Sequence, residues 1–563
     1  MRAQVALCAF GFLLGCGPGG RDNGACQPGQ RQCSGLELQD CEDGQFTDLM
    51  KCDTGCSPTN GCTLCTPGTG TCNGDHAHTC NDDGSGYDDN FCDPAQGESC
   101  DAQSGACTGD CSAKALGNSY IGCEYYPTVT GNTTGADFDF AVAIANTSAN
   151  PAMVTIDGGA LTASQMVMVA PNAVLVQVLP WVNTLKLCSS PSTDGCQTVP
   201  SGALAMKGSY HLRSTEPVTV YQFNSLEYQK NSEFSYSNDA SLLLPTNVWR
   251  TKYYATSQPF FTNGFAYYPS ELAVTASADN TMVTITATAS TTAAQGAPAF
   301  AVNTPQSVML NAGDVIELAS TTGDLTGTLV DAAGPVQVIA GHYCVNVPSD
   351  VTACDHLEES MFPVDTLGTH YVVNAPAVTS IPAGKVEIVR VVATADNTTL
   401  TYDPPITGAP TAIAHAGQFI EIPSTAASFQ ITSDQKVLVA QYMEGQTAGG
   451  DTGDPAMALA VPVEQFRSSY LFHAPVSYDS NYVDVTAPLG ASISLDGGAP
   501  LVLGPIGTSG LGLARVQALG LGPANDGNHN IQGNMGFGIT VYGYGQFTSY
   551  WYPGGLNLDT IVE

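Results

Sequence analysis

A proline followed eight residues later by a tyrosine recurs three times in this chain, as Pro245/Tyr253, Pro363/Tyr371 and Pro462/Tyr470, and the last two run on in step to Ala375-Pro376 and Ala474-Pro475. A turn and strand follow: Ala278-Asp279-Asn280-Thr281-Met282-Val283-Thr284 matches Ala395-Asp396-Asn397-Thr398-Thr399-Leu400-Thr401, and Ala149-Asn150-Pro151-Ala152-Met153-Val154-Thr155 is a degenerate earlier copy. Next come Ala312-Gly313-Asp314-Val315 and Ala416-Gly417-Gln418-Phe419, and then a closing apolar strand, Pro217-Val218-Thr219-Val220, Pro335-Val336-Gln337-Val338 or Lys436-Val437-Leu438-Val439, with Gly538-Ile539-Thr540-Val541 as the last equivalent. Within these stretches apolar residues alternate with polar ones, as in Phe138, Phe140, Val142 and Ile144, in Val283 and Ile285, and in Ile493 and Leu495. Period-2 alternation without a long amphipathic helix predicts strands that bury one face. The fold class is therefore all-β, with tandem β-sandwich or jelly-roll-like modules over 111–242, 243–360, 361–459 and 460–563. Seven or eight short strands per module favour that reading over a β-propeller-like arrangement in which each module supplies two blades. The Asp-Asn turns need only the left-handed backbone those residues tolerate.

The front of the chain, 26–110, is a different material. Twelve cysteines form two matching sets: Cys26, Cys33, Cys41, Cys52, Cys56 and Cys62, then Cys65, Cys72, Cys80, Cys92, Cys100 and Cys107. The first three members are displaced by 39 residues and the fourth by 40. Each copy is too small and too poor in aliphatic residues to hold itself together by burial, so three disulfides per copy are expected. Six cysteines allow fifteen pairings, and the connectivity is left open. Zinc is the rival, through Cys62-x2-Cys65 with His76 and His78 nearby, but paired Cys-x2-Cys knuckles are missing. Asp82, Asp83, Asp88 and Asp89 around Gly84-Ser85-Gly86 could hold calcium, although the spacing departs from an EF-hand loop and reads better as a solvated turn. The other cysteines are expected to form three local bridges: Cys111 with Cys123, Cys188 with Cys196, and Cys344 with Cys354.

Residues 1–15 read as an export signal: Arg2, an apolar run over 5–14 too short to span a bilayer, and then Leu13-Leu14-Gly15-Cys16. That ending resembles the lipobox of bacterial lipoproteins, which implies cleavage before Cys16 and lipid attached to it, with 16–25 as a tether. Several acyl chains on one residue anchor stably. Gly17 after Cys16 resembles lipoproteins exported to the outer membrane, so the expected location is the cell envelope, at the outer membrane or cell surface. Cleavage removes one cation and no acid, leaving 15 Lys and Arg against 51 Asp and Glu. So few cations exclude nucleic-acid binding. The acid excess suits an extended, soluble array on an anionic surface, with divalent cations as a modulator.

The opening Gly117-Asn118-Ser119-Tyr120-Ile121-Gly122-Cys123-Glu124-Tyr125, followed by Phe138-Asp139-Phe140-Ala141-Val142, resembles the start of the IgGFc-binding protein N-terminal domain family. The Pro-Val-x-Val strands, Gly453-Asp454-Pro455-Ala456-Met457 and the ending Ser549-Tyr550-Trp551-Tyr552-Pro553-Gly554-Gly555 extend the resemblance over most of 112–556. The Cys-rich front is similar to segments preceding this domain in myxobacterial-type surface lipoproteins. Antibody binding need not carry over from the animal members that name the family. The self-cleaving Gly-Asp-Pro-His motif of their companion domains is not matched, because Ala456 stands where the His would be, so no autoproteolysis is expected.

Catalytic signatures are missing. No Gly-x-Ser-x-Gly elbow or His-Glu-x-x-His helix occurs, and the nearest stretch to the latter, Asp355-His356-Leu357-Glu358-Glu359-Ser360, reads as a loop beside Cys354. The favoured function is non-enzymatic: a lipid-anchored surface protein whose β-modules bind a glycan, a protein or a neighbouring cell. Loops at module ends, 228–239 and 260–268 among them, are the expected contacts. A secreted polysaccharide-active hydrolase with scattered carboxylates, or a purely structural envelope component, is the alternative.

Overall fold

The computed structural model describes residues 26–186, 202–264, 266–378, 385–448, 451–517 and 519–561. The expected signal and Cys16 with its tether lie outside the described residues. So do Cys188 and Cys196, and the bridge expected between them stays an expectation. Strand accounts for 51% and helix for 5%, so the fold is all-β, with a disulfide-rich region leading into sandwich-like sheets. Two compact units result: 26–92 with 99–108, and 93–98 with the chain from 109 onward.

In the first unit each cysteine copy makes a three-stranded antiparallel sheet and a two-stranded hairpin. Arg31–Ser34, Glu37–Glu42 and Gln45–Lys51 lead to Gly55–Ser57 and Gly61–Thr63; Gly70–Asn73, His76–Cys80 and Tyr87–Phe91 lead to Ser99–Asp101 and Ala106–Thr108. Asp43 and Gly44, both with positive φ, form the two-residue hairpin turn that an Asp-Gly pair favours. Bridges follow one scheme in both copies, first to third, second to fifth and fourth to sixth: Cys26–Cys41, Cys33–Cys56 and Cys52–Cys62, then Cys65–Cys80, Cys72–Cys100 and Cys92–Cys107. Leu38 and Ala77 are the only other apolar side chains buried among the described residues of this unit. Each bridge is therefore worth about 2–4 kcal/mol to a fold that burial alone would not sustain.

The second unit repeats one sheet plan four times around a long, bent strand. The first half of Tyr210–Asn224 lies between Gly122–Tyr125 and Ala152–Gly158, and its second half between Phe140–Asn146 and Asp239–Leu243. Leu329–Val345 is flanked in the same order by Arg250–Tyr254, Thr281–Thr286, Ser270–Ala276 and Asp355–Ser360. Asn528–Gly545 has Arg467–His473, Ile493–Leu495, Ser480–Pro488 and Thr548–Pro553. In the third system the long strand is broken into Ser428–Ser433 and Val437–Met443, which gives two separate four-stranded sheets. Tyr371 and Val373 from one of these sheets share a core with Val389, Val391, Val437 and Val439 from the other, as two stacked layers must. One exchange crosses systems: Gly202–Ala205 adds to Val315–Ser320 at the edge of the second.

The recurring tyrosine sits where the long strand changes sheet. Tyr253 donates its hydroxyl hydrogen to Val336 O and accepts from Arg250 N–H; Tyr371 donates to Val437 O and accepts from Gly368 N–H; Tyr470 donates to Phe537 O and accepts from Arg467 N–H. A fourth copy, Tyr125, donates to Val218 O and accepts from Gly122 N–H, although Gly117 stands where the proline would be. Each hydroxyl satisfies two backbone groups that a bend takes out of the ladder. The Phe537 acceptor also moves the last closing strand two residues from the Gly538 equivalence read in the sequence, which preserves which side chains face inward.

The four systems close on themselves. Ser119 bridges to Asn557, Tyr120 N–H donates to Leu556 O and Leu558 N–H to Asn118 O, so the end of the unit pairs with its start. The inner strand of each system packs on two others in cyclic order: Asp239–Leu243 on Asp355–Ser360, that strand on Met457–Leu459, that one on Thr548–Pro553, and the last on the first. Tyr371→Phe should strand Gly368 N–H and Val437 C=O in a dry site and lower unfolding free energy in urea by about 1–3 kcal/mol, whereas Tyr236→Phe, at an exposed ring, should leave it within about 0.5 kcal/mol.

Candidate functional site

The stretch Asp355–Ser360, read as a loop from its place beside Cys354, is an inner strand with all six residues buried. All but one of its six carboxyl oxygens meet donors from the surrounding chain, the exception being Glu359 Oε2. Asp355 Oδ1 accepts from Asn238 N–H (2.7 Å) and His356 N–H (2.8 Å), and Oδ2 from Thr548 Oγ1 (2.7 Å) and Ser549 N–H (3.2 Å). Glu359 Oε1 accepts from Leu242 and Ser360 N–H. Asp239 is the hub. Its Oδ1 accepts from Ala240 N–H (2.9 Å) and Trp551 N–H (3.1 Å), and its Oδ2 from Met457 N–H (3.0 Å) and Glu358 N–H (3.2 Å), one amide from each inner strand. Burial drives its pKa up and the four amides oppose that rise.

Beside the hub lies a second buried acid group. Glu358 accepts from Thr130 Oγ1, Ser241 Oγ, Gln222 Nε2 and Asn224 Nδ2. His356 Nδ1 stands 3.7 Å from Glu271 Oε1, and Asn224 Nδ2 donates to His356 Nε2. Glu271 and Glu317 are fully buried, and burial raises the pKa of both, with the charge of Glu317 adding to the rise at Glu271. Asp484 accepts from Tyr542 OH at 3.0 Å and faces Arg515 Nε at 3.8 Å; burial outweighs both and pushes its pKa up to about 6.

A cleft of about 840 Å³ opens among loops drawn from all four systems. Thr133, Asp137 and Phe138 come from the first, with the hairpin tip Ser232, Glu233, Phe234, Ser235 and Tyr236; Tyr268, Cys344 and Cys354 come from the second, Asp454 from the third and Phe547 from the fourth. Tyr236 stacks on Phe547 with centroids 5.3 Å apart, and Phe234 meets Phe547 edge-on, also at 5.3 Å. Tyr236 and Phe547 both have positive φ (54° and 70°), a strained state for aromatic residues that recurs at functional sites. Asp454 is 1% exposed, and its Oδ1 has no hydrogen-bond partner. Burial raises its pKa, opposed first by the charge of Lys385 and then by the backbone N–H groups of Gln446 and Ala353, while burial lowers the pKa of Lys385. The Lys385 ammonium donates to the carbonyls of Thr452 and Gly453.

Both loops singled out in the sequence contribute to this cleft, 228–239 through its tip and 260–268 through Tyr268. Of the three local bridges expected, Cys344–Cys354 forms in the cleft wall and Cys111–Cys123 elsewhere in the unit. The third, between Cys188 and Cys196, falls outside the described residues. Cys62 and Cys65 both carry disulfides. Of the candidate calcium ligands, Asp83 accepts from Ser85 N–H as a turn residue and Asp89 faces His78 at 2.5 Å; among the described residues no group of three acidic, His or Cys ligands converges for a metal. The buried Glu271, Glu317 and Glu358 do not line the cleft.

The IgGFc binding protein family matches residues 239–543, more than half of the chain. This chain belongs to that family. No curated protein matches it. The family match opens at the hub acid Asp239 and spans the second and third systems and most of the fourth; the first system, with the same sheet plan, lies ahead of it. A binding role is what the IgGFc-binding domain suggests for the chain.

Asp239→Asn puts an NH2 group against two backbone N–H donors, so unfolding free energy should fall by about 3–5 kcal/mol, while the exposed Asp137→Asn should change it by less than about 0.5 kcal/mol. Asp484 predicts a pH dependence. Its folded pKa near 6 exceeds the ordinary 3.8, so the folded state keeps a proton the unfolded state has lost, and stability should fall as pH rises from 4 to 7. Thermal melts of Asp484→Asn across that range should lack a contribution on the order of 3 kcal/mol.

Proposed function

We propose that this chain is a lipid-anchored surface protein of the bacterial cell envelope that binds a partner protein through the four-system cleft. The carrying observation is the cleft itself: segments from all four systems converge there, and an aromatic pair in its lining, exposed Tyr236 stacked on half-buried Phe547, is held in strained backbone. Aromatic side chains held rigid offer contact area at low entropic cost, the usual composition of a protein-binding hot spot. The family's printed description, IgGFc binding protein, makes a protein ligand the reading to test first. The disulfides support a surface location: sixteen cysteines paired in eight bridges among the described residues suit an oxidising compartment. The anchor reading rests on Leu13-Leu14-Gly15-Cys16.

Surface-displayed or purified full-length chain should capture protein from antibody Fc, matrix and sibling-cell surface preparations. Tyr236→Ala should weaken that capture at least tenfold with the melting temperature unchanged; full capture by this variant would place the contact elsewhere. Mass spectrometry of the mature amino terminus should find acylated Cys16, and an unmodified residue would remove the anchor.

A further inference from the structure

Every charged side chain among the described residues lining the cleft is acidic. Asp137 and Glu233 stand exposed at its rim, Asp454 reaches its floor, and no described Lys, Arg or His lines it. The floor carboxyl is the telling group: it is 1% exposed, yet its Oδ1 is left without a hydrogen-bond partner. Asp355, placed like Asp454 eight residues before a proline, has all its donors supplied by the protein itself. A buried carboxylate oxygen without a donor is costly, and a ligand that brings one removes that cost. The Lys385 ammonium is committed to the Thr452 and Gly453 carbonyls. Beside the acids stand the flat faces of Tyr236, 44% exposed, and its stacked partner Phe547.

We propose that the cleft receives an arginine side chain carried on a loop of the partner protein, the guanidinium lying on the Tyr236–Phe547 pair and donating to the cleft carboxylates. This rests on the reading above that the cleft is the binding site, and it adds what the site recognises. Arginine fits better than lysine because its planar fork stacks on an aromatic face and still presents several N–H donors to carboxylates. A neutral sugar would use the aromatic faces and donate hydroxyl hydrogens to the acids, but it would gain nothing from their charge. The net charge of −35 over the chain draws a cationic partner and repels an acidic one. At about 840 Å³ the cleft has room for the residues flanking the arginine as well as its side chain.

The test uses the purified full-length chain and three probes: acetyl-Gly-Arg-Gly-amide, the same peptide with citrulline for arginine, and a neutral oligosaccharide, each titrated at low salt and followed by calorimetry or ligand-observed NMR. Citrulline keeps the shape and loses the charge. The arginine peptide should bind at least tenfold more tightly than the citrulline peptide and lose affinity as salt rises. Glu233→Gln and Tyr236→Ala, both at exposed positions that do not endanger folding, should each weaken it at least threefold; Asp454→Asn should weaken it further if that variant melts like the parent. Equal binding of arginine and citrulline, preference for the oligosaccharide, or indifference to Glu233→Gln and Tyr236→Ala would overturn the proposal. If partner capture still depends on Tyr236 while the arginine peptide does not bind, the arginine assignment fails and the cleft reading stands; if capture is also indifferent to Tyr236, both fail.

Discussion

The carboxyl group of Asp239 is the contact on which the rest of the second unit depends. Taking an acid into a dry interior costs several kcal/mol unless donors surround it. Here the donors are four backbone amides, one from each inner strand, so the group is satisfied only when all four strands are in place and in register. Asp355 and Glu359 tie the second inner strand to the first and the fourth in the same manner. Closure thereby becomes a condition on the whole ring, and a slip of one residue in any inner strand would leave a buried acceptor empty.

The tyrosine hydroxyls do for each sheet system what Asp239 does for the set. A strand that passes from one layer to the next must bend, and a bend frees an N–H and a C=O. Four tyrosines return both to use. With the scaffold held at its centre and at its bends, the connecting loops are free to vary. The Asp355/Asp454 pair shows two fates of a repeated position: one copy is saturated by the fold, and the other lines a cleft with one buried oxygen unpartnered.

Local features were readable in advance. Asn280 and Asn397 take the left-handed backbone expected of the repeated turn, at φ 58° and 59°. The two cysteine sets fold into like sheets with like bridges, which follows from their like spacing. The 228–239 and 260–268 segments stand out in the sequence by their Asn, Gly and Tyr content, and both reach the cleft. The stretch 355–360 is not legible as a strand, because the donors that let four ionisable residues in six be buried come from strands distant in sequence. Tyr125 falls outside the proline–tyrosine repeat because Gly117 replaces the proline, although its hydroxyl does the same work.

By itself the sequence determined the class of the fold, the turns, the strand periodicity and the disulfide dependence of the front, since each follows from interactions within a few tens of residues. Only the tertiary structure decided that the four systems close on one another, that Asp239 sits at their centre, and that Asp454 opens on a cleft. The physical reason is that a carboxylate has no fixed role in a chain. Whether it is solvated, structural or poised for a ligand depends on which amides and hydroxyls arrive beside it, and for Asp239 those come from residues more than 100, 200 and 300 positions away.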